Sequence, residues 1–229
     1  MKTQHLIQCY CLGLLLFMSA GVTRAAAEAD AGRKPLELRE GEATWIGQAN
    51  PHARHGADPV MAVGAHDGAS RGLLRFDLAT RMGSYDKITQ AVLELTLADV
   101  KGNWGNETFQ LYQVNDGRWG AESATWASAN DSDIIMLGSG EPIRTAWHQP
   151  GCGGRARGAK LSEARISSTD KGQTIRFVVT DEKFLARLRD LAHHPDPQAN
   201  GGFLITAPGL EAKAVDAALF ATWSAAIPQ

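Results

Sequence analysis

The sequence predicts an all-β fold, a sandwich of two sheets with one short helix, and three observations lead there. Short runs alternate apolar and polar residues with a period of two, clusters of Gly, Asn and Asp separate them, and a single stretch carries a helical repeat. A strand with this alternation has one face to bury, and two sheets packed face to face bury it.

Taken in order, Ala43 to Ile46 reads as a first strand. In the next strand, Leu74, Phe76 and Leu78 alternate with Arg75 and Asp77, which puts three apolar side chains on one sheet face and two charges on the other. Leu93, Leu95 and Leu97 repeat the pattern against Glu94 and Thr96. Phe109 with Leu111, Ile175 with Phe177 and Val179, Phe203 with Ile205, and Leu219 with Ala221 and Trp223 supply the later strands. The expected core therefore gathers Leu74, Phe76, Leu93, Leu95, Phe177 and Phe203. One helix is expected near 181–194. Thr180, Asp181 and Glu182 offer a cap and an acidic first turn, and Phe184, Leu188 and Leu191 share a face. His193 and His194 close it before Pro195 and Pro197. Residues 131–166 carry Pro142, Pro150, Gly151, Gly153 and Gly154, and read as a long loop or insertion.

The first residues form a separate object. An apolar run from Cys11 to Val22 precedes Ala25-Ala26-Ala27, and it falls short of the ~20 apolar residues that a membrane span needs. Residues 1–27 are expected to be a signal peptide, 28–35 a flexible lead-in, and 36–229 a single β-sandwich domain. The expectation is a secreted or periplasmic protein that is free of the membrane once the signal is cleaved. The mature chain keeps one cysteine, Cys152, so no internal disulfide framework supports it. Lys and Arg number 23 against 25 Asp and Glu in 229 residues, too balanced for a protein whose partner is nucleic acid.

Three successive segments then resemble a known pattern: Gly56-Ala57-Asp58-Pro59-Val60 to Gly64, Arg71-Gly72-Leu73-Leu74-Arg75-Phe76-Asp77-Leu78, and Ile88 to Leu95. Phe109 to Val114, Trp119, Thr125-Trp126, Phe177 to Asp181 and Gly201 to Ile205 continue it. In order and spacing these landmarks are similar to the DNRLRE domain, grouped with carbohydrate-binding module family 96, over roughly Thr44 to Trp223. The resemblance implies a jelly-roll-like β sandwich in secreted bacterial proteins, often beside polysaccharide-degrading domains, with acidic polysaccharide such as alginate among the ligands. The stretch 131–166 and the end at Thr222-Trp223-Ser224 depart from the family pattern.

The residues have their own chemistry. A sugar ring offers apolar C–H faces and a rim of hydroxyls, so its site needs an aromatic plate with Asn, Asp or Arg around it. Trp104 lies in Lys101-Gly102-Asn103-Trp104-Gly105-Asn106, where an indole either lids the core or meets a ligand. Trp147, beside Arg144 and His148, poses the same alternative, whereas Trp45, Trp119, Trp126 and Trp223 read as packing residues. Arg75 suits a uronate carboxylate, or else pairs across strands with a neighbour such as Glu94. Arg155, Arg157, Lys160 and Arg165 concentrate positive charge, either as a solvated loop or as a contact for an acidic polymer. The candidate carbohydrate-binding set is Trp104, Asn103, Arg75, Trp147 and Arg155.

Catalytic and metal motifs are thin. Gly68-Ala69-Ser70-Arg71-Gly72 has the form of a nucleophile elbow, but a strand pattern follows it where a helix is required. His52 and His55 have no second ligand cluster nearby. No cofactor is expected, although Asp116, Glu122, Asp131 and Asp133 leave room for a structural Ca²⁺. Cys152, between two glycines, reads as an exposed free thiol. The expected function is a secreted, non-catalytic module that binds an acidic or plant/algal-type polysaccharide. The alternatives are a structural or cell-surface sandwich without a glycan site, and a small polysaccharide lyase or hydrolase. The oligomeric state is not legible.

Overall fold

The computed structural model describes residues 38, 41–66, 68–78, 88–135, 142–194, 196 and 198–222, with the backbone alone at 132–135 and 142–144. Residues 1–27 and 28–35, expected as a signal peptide and a lead-in, and Trp223 lie outside the described residues.

Among the described residues eleven strands form, seven where the alternation predicts them and four in further places. They are β1 (Gly41–Gly47), β2 (Val60–Ala65), β3 (Ala69–Phe76), β4 (Ala91–Lys101), β5 (Glu107–Val114), β6 (Ser128–Ile135), β7 (Pro142–Ala146), β8 (Arg157–Ile166), β9 (Thr174–Val179), β10 (Phe203–Thr206) and β11 (Ala217–Ala221). Pairing is antiparallel throughout, in the order β8-β5-β10-β3-β2-β11-β4-β9, with β1 on β3. The two ends of this path, β8 and β9, come back alongside each other, so the sheet is nearly closed and sandwich-like. The link between its halves is short, because β2 and β3 pair only through Gly64 with Ser70 and Ala65 with Ala69.

Between the halves lies the main core. Leu74, Phe109, Leu111, Phe203 and Ile205 from one side meet Met61, Leu93, Leu95, Leu97, Phe177 and Phe220 from the other. Phe76 sits at its margin, only partly buried. Helix α1 (Glu182–His193) starts where Asp181 accepts the Phe184 amide at 2.8 Å, and it places Phe184, Leu185 and Leu188 against that core. A single helical turn, α2 (Pro208–Glu211), adds Leu210.

Residues 131–166, expected to be a long loop, are largely strand. β6 and β7 pair as a two-stranded unit, and β8 pairs with β5 from Glu107 opposite Ile166 to Val114 opposite Arg157. The prolines and glycines that suggested a loop fall between these strands, at 150–154, and at the start of β7. This segment builds a second core on the far face of β1, β3 and β10. Ile46, Leu73 and Leu204 point outward there and are covered by Trp119, Trp126, Trp147, Cys152 and Ala156. Trp119 donates to the Gly201 carbonyl and Trp147 to the Thr125 carbonyl, each at 2.8 Å, so both indoles are buried without leaving an N–H unpaired.

Candidate functional site

The tryptophans proposed from sequence do not present sugar platforms. Trp104 is 3% exposed, packs beside Phe109 and donates to the Lys101 carbonyl at 3.0 Å. Its own carbonyl takes the Ser168 hydroxyl at 2.8 Å, so the glycine-bounded loop folds the indole inward as a lid. Trp147 is 4% exposed within the second core. Neither ring has a face open to solvent. Asn103 is exposed beside Ser168 at that end of the sandwich.

Arg75 is also committed within the fold. Its guanidinium bonds Glu42 at 2.8 Å and the Gly117 carbonyl at 2.8 Å, and lies 4.7 Å from the centre of the Trp119 ring. The cross-strand partner is Glu42, opposite Arg75 in the β1–β3 register, while Glu94 pairs with Arg176 at 2.9 Å. Arg71 works similarly, holding Glu211 at 2.9 Å and the Gly151 carbonyl at 2.8 Å over the Trp126 ring. These arginines fasten the second core to β3.

Cys152 is fully buried in that core, a correction to its expected exposure, and burial pushes its thiol up to about 12. It adopts φ 55° in the turn between Gly151 and Gly153. Ser70 is buried at the head of β3, not displayed on an elbow. His55 stacks on Trp45 at 3.5 Å and shares Asp58 with the Trp45 indole. Of the acidic residues considered for Ca²⁺, Asp116 is held by Arg118, which lowers its pKa by hydrogen bonding, and Asp131 is buried 3.5 Å from His52. Among the described residues, no three His, Cys, Asp or Glu side chains converge as a metal site.

What the fold does assemble is a cationic strip. The covering layer of the second core stops at β5, and Tyr112 stands half-buried at its border. Beyond it the same face of β5 and β8 is open, with Thr108 opposite Arg165, Gln110 opposite Glu163 and Tyr112 opposite Lys160. The Arg157 guanidinium lies 5.1 Å from the centre of the Tyr112 ring, and the Tyr112 hydroxyl donates to Gln110 Oε1 at 2.8 Å. Arg155 is exposed in the turn that leads into β8. At ~3.3 Å per residue the strip runs roughly 25 Å.

Most of its positive charge is uncompensated. Arg71, Arg75, Arg118, Arg176 and Arg189 each hold a carboxylate. Arg155, Arg157 and Arg165 hold none among the described residues. Lys160 alone of the strip's cations is paired, to Glu163 at 2.9 Å, and that hydrogen bond raises its pKa.

The sequence model of carbohydrate-binding module family 96 matches residues 35–149, half of the chain. The chain belongs to carbohydrate-binding module family 96. No curated protein matches the sequence. In this family 96 module Tyr112 lies inside the matched stretch, whereas Arg155, Arg157, Lys160 and Arg165 lie past its end. Sequence reading marked these basic residues as a cluster but missed Tyr112. The signal was present, because Phe109 and Leu111 face inward and the same alternation turns Gln110 and Tyr112 outward.

Proposed function

We propose that this module is a secreted, non-catalytic binder of acidic polysaccharide and that the β5–β8 strip is its contact surface. Membership of a carbohydrate-binding family supplies the class of ligand. The observation that carries the finer reading is the set of three arginines without carboxylate partners, beside a half-buried tyrosine. Five other arginines hold a carboxylate, whereas Arg157 and Arg165 on β8 and Arg155 just before it are left available to carboxylates or sulfates on a polymer. Tyr112 adds an apolar ring face and Gln110 an amide for the hydroxyl rim. Export is part of the same reading, since polysaccharides of this kind lie outside the cell and the apolar run before Ala25-Ala26-Ala27 has the form of a cleaved signal.

The test is titration of the mature protein with polygalacturonate, alginate, a sulfated polysaccharide and a neutral glucan, at low and at physiological salt. Binding of the anionic polymers that weakens with salt, without binding of the neutral glucan, is the expected result. Tight binding of the neutral glucan alone, or no binding at all, would overturn it. Mass spectrometry of the exported protein, expected to begin near Glu28, tests the signal.

A further inference from the structure

Arg155 stands outside the regular strands, yet its backbone is gripped at both of its peptide groups. Its amide donates to His148 Nδ1 at 3.3 Å, and its carbonyl accepts from Asn115 Nδ2 at 3.2 Å. Asn115 is itself braced. Its Oδ1 accepts from Gln113 Nε2 at 3.0 Å, and its backbone amide donates to the Ala156 carbonyl at 2.8 Å. Two glycines make room for this grip. A Cβ on Gly154 would collide with His148 Nδ1, and one on Gly158 would sit 2.9 Å from Asn115 Oδ1. Gly154 also takes φ 59°, a left-handed conformation that suits glycine. His148, Asn115 and Arg155 are all exposed, so these side chains do not serve a buried core.

We propose that His148 and Asn115 are positioning residues for polysaccharide binding, which fix the Arg155 backbone so that its guanidinium is presented at the end of the strip. The inference rests on the reading of the strip as the glycan-contacting surface. An arginine on a mobile turn loses conformational freedom when it meets a carboxylate, and a turn already held in place loses less. His148 has to be an acceptor at Nδ1, which in the neutral ring leaves the proton on Nε2.

The experiment compares the wild type with His148→Ala, His148→Asn, Arg155→Ala and the double variant His148→Ala/Arg155→Ala. Polygalacturonate affinity and hydrogen exchange of the Arg155 amide without ligand are both measured. Asn keeps an acceptor near the Nδ1 position, so it should preserve Arg155 amide protection and most of the affinity. His148→Ala should lose amide protection and weaken binding about three- to tenfold. Adding it to Arg155→Ala should cost nothing further, because the strut acts through the residue already removed. Unchanged amide exchange in His148→Ala, or full additivity of the two changes, would overturn the positioning role. A wild type that binds no anionic polymer would overturn the reading of the strip and this role with it. A wild type that binds, with His148→Ala equal to it, would overturn the positioning role alone.

Discussion

The Arg157 guanidinium lies over the Tyr112 ring, 5.1 Å from its centre, at the line where the second core ends and the open face of β5 and β8 begins. A cation over a tyrosine face is worth about 0.5–1 kcal/mol at an exposed site, enough to orient both groups and too little to consume the charge. The pair therefore keeps its charge available to an anionic ligand.

Replacing Tyr112 with Ala should remove about 1 kcal/mol or more of polygalacturonate binding energy, as loss of an aromatic anchor does, with a smaller loss of stability than Phe177→Ala because the ring is only half-buried. Tyr112→Phe should retain most of it, because the ring remains and only the bond to Gln110 goes. Arg157→Ala should weaken anionic polymers and flatten their salt dependence. Calorimetric titration at two salt concentrations separates these effects. An unchanged salt dependence in Arg157→Ala would deny the arginine an electrostatic role.

Phe177 and Phe76 looked equivalent in sequence, yet Phe177 is fully buried while Phe76 lies at the core margin. Phe177→Ala should cost about 3–5 kcal/mol of stability and Phe76→Ala clearly less. Denaturant unfolding of the two variants makes the comparison.

The inward alternation of β4, β5 and β9 was legible because each strand buries chiefly one face, and helix α1 was legible because its Asp181 cap and apolar stripe agree. The second core was not. On β3, Leu73 breaks the alternation, and nothing local to residues 131–166 announces that this stretch returns to cover it. For the same reason Trp104 and Trp147 looked like ligand contacts. Glycines and prolines around an indole mark a turn, but only the tertiary fold decides which side of the turn the ring occupies. The basic cluster was visible as charge, while its freedom from carboxylate partners depends on where the acids of other strands lie.

Cys152 gives a pH prediction. Its thiol, raised by burial from 9.0 to about 12, stays protonated in the folded state over a range where the unfolded thiol ionises. Between about pH 9 and 12 the unfolded chain therefore binds fewer protons than the folded one, so this group lowers stability as pH rises and is neutral below that window. Cys152→Ala should lessen the alkaline loss of stability, read from denaturant midpoints at pH 8 and pH 10. At pH 8 a thiol reagent should label the native protein far more slowly than the unfolded chain. Fast native labelling would contradict the burial.

Trp104 separates packing from recognition most sharply. The ring is 3% exposed beside Phe109, its N–H is satisfied by the Lys101 carbonyl, and its carbonyl anchors Ser168. Truncation to Ala removes a large buried side chain and leaves a cavity under the loop, a change that costs about 3–5 kcal/mol where the site cannot collapse. The Lys101 carbonyl loses one donor but sits on an exposed residue, where water can replace it, so lost packing dominates. The indole packs against Phe109 in the main core, whereas Tyr112 lies on the opposite face of β5 beside the second core. Polygalacturonate affinity of Trp104→Ala, measured well below its lowered melting temperature, should equal that of the wild type. A variant with unchanged stability and lost affinity would restore Trp104 as a ligand contact and move the site to the Lys101–Asn106 loop.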